Sequence, residues 1–289
     1  MRFRVLDIET VPDTSVWTPG KPAWKWDVGS QLSPNSVRTR FELDEVVLVR
    51  EDPFPPPHAC RVVAISWVDV VLDAEKSPRY RFDSMGSECR WSLSGHPGAE
   101  RDLLRTFGES TQALSEAGGL CLVTWNGRGF DLPVINLRSL QHGIPCKWYY
   151  ADRDVRYRYS AEGHLDLMDF LGDYGAARNM KLGDVARLVG LPGKTGEVSG
   201  ASVHDVYRET LDRALDPDFC FRKMAEVGRY CLQDSLQTAL IFLRSRHHLG
   251  KIDRGEYVRC LDTFESSPEV RAAVDVDWGA VRLRGEAAP

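Results

Sequence analysis

Asp7 and Glu9 stand two residues apart in Arg2–Ile8, a run that alternates and then carries apolar residues as a strand does. Side chains two apart on a strand share a face, so both carboxylates project together while Leu6 and Ile8 turn to the core. Two such anions repel each other and do not both ionise cheaply without a cation. Hard oxygen donors of this kind suit Mg²⁺ or Mn²⁺. The plain alternative is a pair of solvated acids at a strand end, and a second Asp-x-Glu, Asp73 and Glu75, shows how easily the pattern arises.

Two further patterns carry acids. Trp125-Asn126-Gly127-Arg128-Gly129-Phe130-Asp131-Leu132-Pro133 lies where a strand turns into a helix. Its glycines permit a tight turn, Asp131 can cap the helix, and Pro133 falls in the first turn. An ordinary joint with an Asp cap explains these residues; a site at the carboxyl end of a strand, where open sheets bind ligands, explains them too. Tyr230 and Asp234 are four apart in a long helical run, which places them one turn apart on one face.

The elements that must position these groups follow from periodicity. Strands are predicted over 2–8, 61–72, 79–82, 120–125 and 164–170, and helices over 100–117, 131–142, 182–189 and 219–249. Prolines 12, 19, 22, 34, 53 and 55–57 mark 13–60 as an irregular insertion with one short strand at 45–49. Leading strands followed by alternating helix and strand give an α/β fold, a mixed β-sheet flanked by helices, in ribonuclease-H-like order. The expected organisation is one domain over 1–250 and a C-terminal extension over 251–289, a packed helix and then a frayed tail.

Taken together, the three patterns resemble the Exo I (Asp-x-Glu), Exo II (Asn-x-x-x-Phe-Asp) and Exo III (Tyr-x-x-x-Asp) motifs of DEDD 3′–5′ exonucleases, in order, spacing and element. The Asn-x-x-x-Phe-Asp-x-Pro form is most similar to the proofreading domain of family B DNA polymerases and to stand-alone bacterial proteins related to it. Arg229 occupies the position of the histidine in the histidine subtype, and Tyr230 that of the tyrosine, which makes this the tyrosine subtype. The resemblance implies two divalent cations, Mg or Mn, held by Asp7, Glu9, Asp131 and Asp234, with Asp7 serving both ions. Tyr230 would orient the attacking water. The implied reaction releases 5′-mononucleotides from single-stranded nucleic acid, DNA favoured over RNA. A silent nucleic-acid-binding protein on the same scaffold is the remaining alternative, and the presence of all four acids and Tyr230 argues against it. No polymerase activity is expected, since the exonuclease pattern leaves no room for palm and fingers in these residues.

Substrate contacts are expected from Thr10, Asn126, Phe130, Arg153, Arg156, Arg158 and Lys181, with Asp166 as an accessory acid. The three arginines lie in Lys147–Tyr159, where basic and aromatic residues interleave. Single-strand binders use that combination, although a twisted hairpin with a solvated face reads the same way. Asp166 and Asp169, three apart on the predicted strand, should face opposite ways. Gly193-Lys194-Thr195 lacks the first glycine of a phosphate-binding loop and follows a helix, so nucleoside triphosphate binding is rejected there, leaving Lys194 a bare phosphate contact at most.

A net charge of −5 excludes a broad basic face for nucleic acid, so contact with a strand must be local and aided by cations. No apolar run is long enough to span a bilayer, so no membrane partner is expected. Seven scattered cysteines without a Cys-x-x-Cys pair fit a reducing cytoplasm better than a disulfide framework.

Overall fold

The computed structural model describes residues 1–18, 20, 23–28, 39–40, 46–51, 54–90, 98–177, 180–192 and 202–282. Its centre is a five-stranded sheet made of β1 (Arg2–Pro12), β5 (Cys60–Leu72), β6 (Tyr80–Cys89), β7 (Leu120–Thr124) and β8 (His164–Asp166). The spatial order is β6-β5-β1-β7-β8. β5 is antiparallel to both β1 and β6, whereas β7 runs parallel to β1 and β8 parallel to β7. This is the expected mixed sheet.

The two faces of β1 divide by residue parity. Phe3 and Val5 join a core beneath α8 (Pro217–His248), while Leu6 and Ile8 join one beneath α1 (Gly98–Glu116) and α2 (Asp131–His142). Asp7 and Glu9 continue the odd series, and so does Val11, which packs with Val227 and Tyr230 of α8. The alternation of apolar residues in β1 therefore fixes which helix the acids meet.

Several local expectations are corrected. Among its described residues the 13–60 stretch carries three strands and not one: β2 (Ala23–Val28), β3 (Thr39–Arg40) and β4 (Val46–Glu51) form a second sheet in the order β2-β4-β3. Lys147–Tyr159 is no hairpin; it folds as two helical turns, α3 (Lys147–Tyr150) and α4 (Arg153–Arg156), because Trp148 and Val155 are buried. The predicted strand 164–170 stops at Asp166, whose carboxylate accepts the N–H groups of Met168 and Asp169 and starts α5 (Leu167–Leu171). Past α6 (Leu182–Leu188) and α7 (Val203–Asp212), α9 (Arg254–Glu265) buries Tyr257, Leu261 and Phe264 in the core that holds Phe3 and Val5. Two short helices follow, α10 (Pro268–Ala273) and α11 (Trp278–Val281). The expected frayed tail and Lys194 fall outside the described residues.

A buried charged network pins the exit of β1. Arg138 of α2 is 1% exposed and donates to Asp13 at 2.8 Å, to Glu100 of α1 at 2.5 and 2.8 Å, and to His58 O at 3.1 Å. Glu100 also accepts the Val62 N–H at 2.8 Å. Across the ladder, Asp13 N donates to Ala59 O at 2.8 Å.

Candidate active site

β7 pairs with β1 only as far as Val5 and Val123. Beyond that point β1 runs on alone on that side, so a gap opens at the carboxyl end of β7, next to Asp7 and Glu9. The chain fills it with the turn 125–130. Asn126 takes a positive φ of 64°, and a Cβ at Gly127 would lie 2.4 Å from the Thr124 side chain, so position 127 accepts only glycine. The Asn126 carbonyl accepts the N–H groups of Gly129 and Phe130, each at 3.0 Å, and α2 begins.

Asp131 does not cap that helix; Phe130 occupies the N-cap position without a side-chain bond. The Asp131 carboxylate accepts instead the N–H of Ile8 at 3.2 Å, a backbone donor past the end of β7 pairing. One unpaired strand donor thus draws the third acid up to the first two. The fourth comes from α8, where Tyr230 and Asp234 are buried on the face that meets β1. That helix is held close: Ser66 Oγ donates to Cys231 O at 2.8 Å and lies 2.7 Å from Ser235 Oγ, while a Cβ at Gly228 would press on Ser87 and Cys89 of β6.

The four acids also act on one another through burial and charge. Asp7 is only partly exposed, and Glu9, Asp131 and Asp234 are buried. The Asp7 carboxyl is pushed well above the ordinary carboxylate range, first by burial and then by the charges of Asp131, Asp234 and Glu9. Asp131 is raised to about 7, chiefly by burial, with Asp166 and Asp234 adding to it. Buried carboxylates that raise one another's pKa in this way fit a divalent cation.

A fifth group at this point escaped the sequence reading. Cys231 Sγ contacts Asp7 O at 3.3 Å and Asp7 Oδ2 at 3.5 Å, and its sulfur lies within 4.8 Å of donor atoms of Asp7 and Glu9. Burial, followed by the charges of Asp7 and Glu9, holds the thiol protonated. It therefore serves as a weak hydrogen-bond donor to Asp7. No spacing rule singles out a cysteine next to the Exo III tyrosine.

Asp166 lies behind the turn. Its two oxygens accept the N–H groups of Asn126 and Arg128, each at 2.9 Å, besides those of Met168 at 3.1 Å and Asp169 at 3.3 Å. Burial still raises its pKa, against the pull of those amides. Asp169 is turned elsewhere, into an ion pair with Arg158. Beneath Asp166, His164 is fully buried, with Nε2 2.8 Å from Thr124 Oγ1, and burial, with Arg128 nearby, lowers its pKa to about 3.

The remaining expected contacts divide. Phe130 meets the exposed ring of Phe54 at 5.7 Å, a neighbour with no sequence signal beyond the proline run after it. Thr10 follows the β-bulge in β1, and its side chain lies close enough to Cys60 to oppose the rise that burial gives that thiol's pKa. Lys181 is exposed at the start of α6, next to Met180, whose carbonyl accepts the Trp125 indole N–H at 3.2 Å. Arg153 and Arg156 stand over tyrosine rings, but Arg158 is bound to Asp169 and to Tyr174 O.

The raised acids set a pH dependence for the metal-free protein. A carboxyl whose pKa is higher folded than unfolded binds more protons in the folded state, so stability falls as pH rises between the two values. For Asp131 that window runs from the ordinary value of 3.8 to about 7. Thermal melts in chelator should therefore fall more steeply with pH for the wild type than for Asp131→Asn, and Mg²⁺ or Mn²⁺ at pH near 7 should restore the wild type. Melts insensitive to both ions would contradict the cation fit.

Residues 52–271 match the model of a family described as a predicted 3′–5′ exonuclease related to the exonuclease domain of PolB. Among solved structures, a family B DNA polymerase from the archaeon Pyrobaculum calidifontis is similar over 91% of this chain and 29% of its own, at 16% identity and a TM-score of 0.47. The zinc-bound E. coli ExoI–ssDNA complex is similar over 87% of this chain and 45% of its own, at 14% identity and a TM-score of 0.36. The chain thus spans less than half the length of either. No curated protein matches it. With the family model covering most of its length, the chain belongs to the family of predicted 3′–5′ exonucleases related to the exonuclease domain of PolB.

Proposed function

We propose that the protein is a metal-dependent 3′–5′ exonuclease that releases 5′-mononucleotides from single-stranded nucleic acid, with DNA as the favoured substrate. The observation that carries this reading is the meeting of four acids from β1, α2 and α8, in which Asp7 feels the charge of the other three. Asp7, Glu9 and Asp234 would hold one cation of the Mg or Mn type, and Asp7 with Asp131 a second. Such ions would supply a lowered pKa for an attacking water and a charge offset for the leaving 3′ oxygen.

The chain's own groups supply the geometry. Tyr230, one turn before Asp234, orients the water; an ordinary phenol is too weak a base for more at neutral pH. Cys231 and the Ile8 N–H fix the carboxylates of Asp7 and Asp131. Asn126, Phe130, Thr10 and Lys181 border the strand's 3′ end. Kinship with the exonuclease domain of PolB supports DNA, and the acidic balance of −5 confines strand contact to local patches. The exonuclease unit is assigned to 1–250 with 251–289 as its extension. Among the described residues no helix is long and apolar enough to cross a membrane, and all seven cysteines are free thiols, which supports a cytoplasmic setting.

The direct test is digestion of matched DNA and RNA strands labelled at the 3′ end, with Mg²⁺ or Mn²⁺ and with chelator. The expected result is ion-dependent release of labelled mononucleotide, faster from DNA. Faster release from RNA would change the substrate, and release unaffected by chelator would remove the metal mechanism.

A further inference from the structure

Tyrosines crowd the surface beside the turn that carries Asp131. Tyr150 ends α3, Tyr157 and Tyr159 follow α4, and Tyr174 lies in a short 3-10 turn after α5. Tyr150, Tyr157 and Tyr159 are 52%, 44% and 58% exposed. Contiguous apolar surface left in water marks a binding area. The rings also touch one another: Tyr157 and Tyr159 have centroids 5.8 Å apart, and Tyr159 and Tyr174 4.8 Å apart. Phe170 continues the chain inward, 6.5 Å from Tyr174.

The patch is fastened to the fold. Trp148 and Val155 are buried below it, and a Cβ at Gly163 would fall 2.4 Å from Val155 N, so the chain entering β8 runs hard against α4. Tyr174 and Asp173 have positive φ values of 53° and 48°, a region that bulky side chains avoid. Arg158 holds that backbone by donating to both Asp169 oxygens, at 2.7 and 2.9 Å, and to Tyr174 O at 3.0 Å. A half-buried aromatic held in costly backbone geometry against the exposed Tyr159 points to a use for the paired rings.

Charge and position say what lies on it. Arg153 stands 5.0 Å from the Tyr157 ring centroid and Arg156 4.9 Å from that of Tyr150. Arg128, between Asn126 and Asp131, donates to Arg156 O at 3.0 Å and to His164 O at 3.4 Å, which ties the patch to the catalytic turn. In a chain of net charge −5, cations alternating with exposed rings match a ligand that alternates phosphates with flat faces.

We propose that Tyr157, Tyr159 and Tyr174 form a stacking shelf for unpaired bases of the substrate strand, with Arg153 and Arg156 meeting its phosphates. Arg158 is a positioning residue of this shelf and not a phosphate contact. The shelf rests on the nuclease reading and adds to it a second contact area, outside the acid cluster.

The test compares a fluorescently labelled oligothymidylate with an abasic strand of equal length, bound by the full chain in Ca²⁺. The Tyr157→Ala/Tyr159→Ala variant should bind oligothymidylate about 10- to 100-fold more weakly and the abasic strand as the wild type does. Tyr159→Phe, which keeps the ring, should bind both strands like the wild type. Equal weakening on both strands, no weakening at all, or a loss in the Phe variant would overturn the shelf; the rings would then face another partner, such as a protein surface. If the wild type releases mononucleotides normally in that case, only the shelf falls. A wild type that neither binds nor cleaves the strand would overturn the nuclease reading with it.

Discussion

Asp7→Ala should cut mononucleotide release by at least about 10³-fold, or about 4 kcal/mol of transition-state stabilisation. Asp7 is the acid on which the charges of Glu9, Asp131 and Asp234 all act, so its loss breaks the cluster at its centre. Tyr230→Phe should keep a measurable rate, within about 100-fold of the wild type, because losing an orienting bond misplaces the water without removing it. Steady-state digestion of one labelled strand by both variants checks the pair. Near-normal turnover by Asp7→Ala would reject the assignment of the site. A Tyr230→Phe chain as inactive as Asp7→Ala would give the phenol a larger role than orientation.

Arg138→Met should lower folding stability by about 3–5 kcal/mol, since it leaves Asp13 and Glu100 buried without their shared cation. Urea unfolding reads the loss directly, and adding Glu100→Gln in the same chain should recover part of it. A single variant within about 1 kcal/mol of the wild type would mean that the network does not hold the exit of β1. Acid should act in the same direction. Burial opposes ionisation of Asp13, but the Ser15 hydroxyl, Arg138 and Arg61 outweigh it and lower its pKa to about 2. A depressed folded value gives stability that is full above the ordinary value of 3.8 and lost as pH falls towards 2.

What the sequence made legible was what depends on neighbours along the chain. The alternation of Arg2–Ile8 gave the strand and the shared face of Asp7 and Glu9, and the four-residue step from Tyr230 to Asp234 gave their face of α8. Gly127 and Gly129 marked the turn. The part that stayed hidden depends on distant partners. Asp131 looked like a helix cap, yet its carboxylate bonds an N–H in β1 that is free only because β7 ends early. The strand predicted for 164–170 breaks at Asp166 because that carboxylate gathers amides from the 125–130 turn and from the first turn of α5. Trp148 and Val155 fold 147–156 into helical turns by being buried, which an alternating pattern of basic and aromatic residues does not reveal. Cys231 and Phe54 carry no motif at all and became visible only beside Asp7 and Phe130.

The stitch between Asp13 and Ala59 bears on how this protein can change. Pro12 and Cys60 are direct cross-strand partners, and the Asp13 N–H closes the ladder one step further out. The chain leaves this hairpin after Ser15, which is bonded to Asp13, and is back on the fold by Phe54, which meets Phe130. The entropy of closing a loop between two such fixed points grows only slowly with its length. A change of length between those two residues should therefore leave the register of β1 and β5 intact, whereas Phe54 and His58 belong to the parts that have to stay.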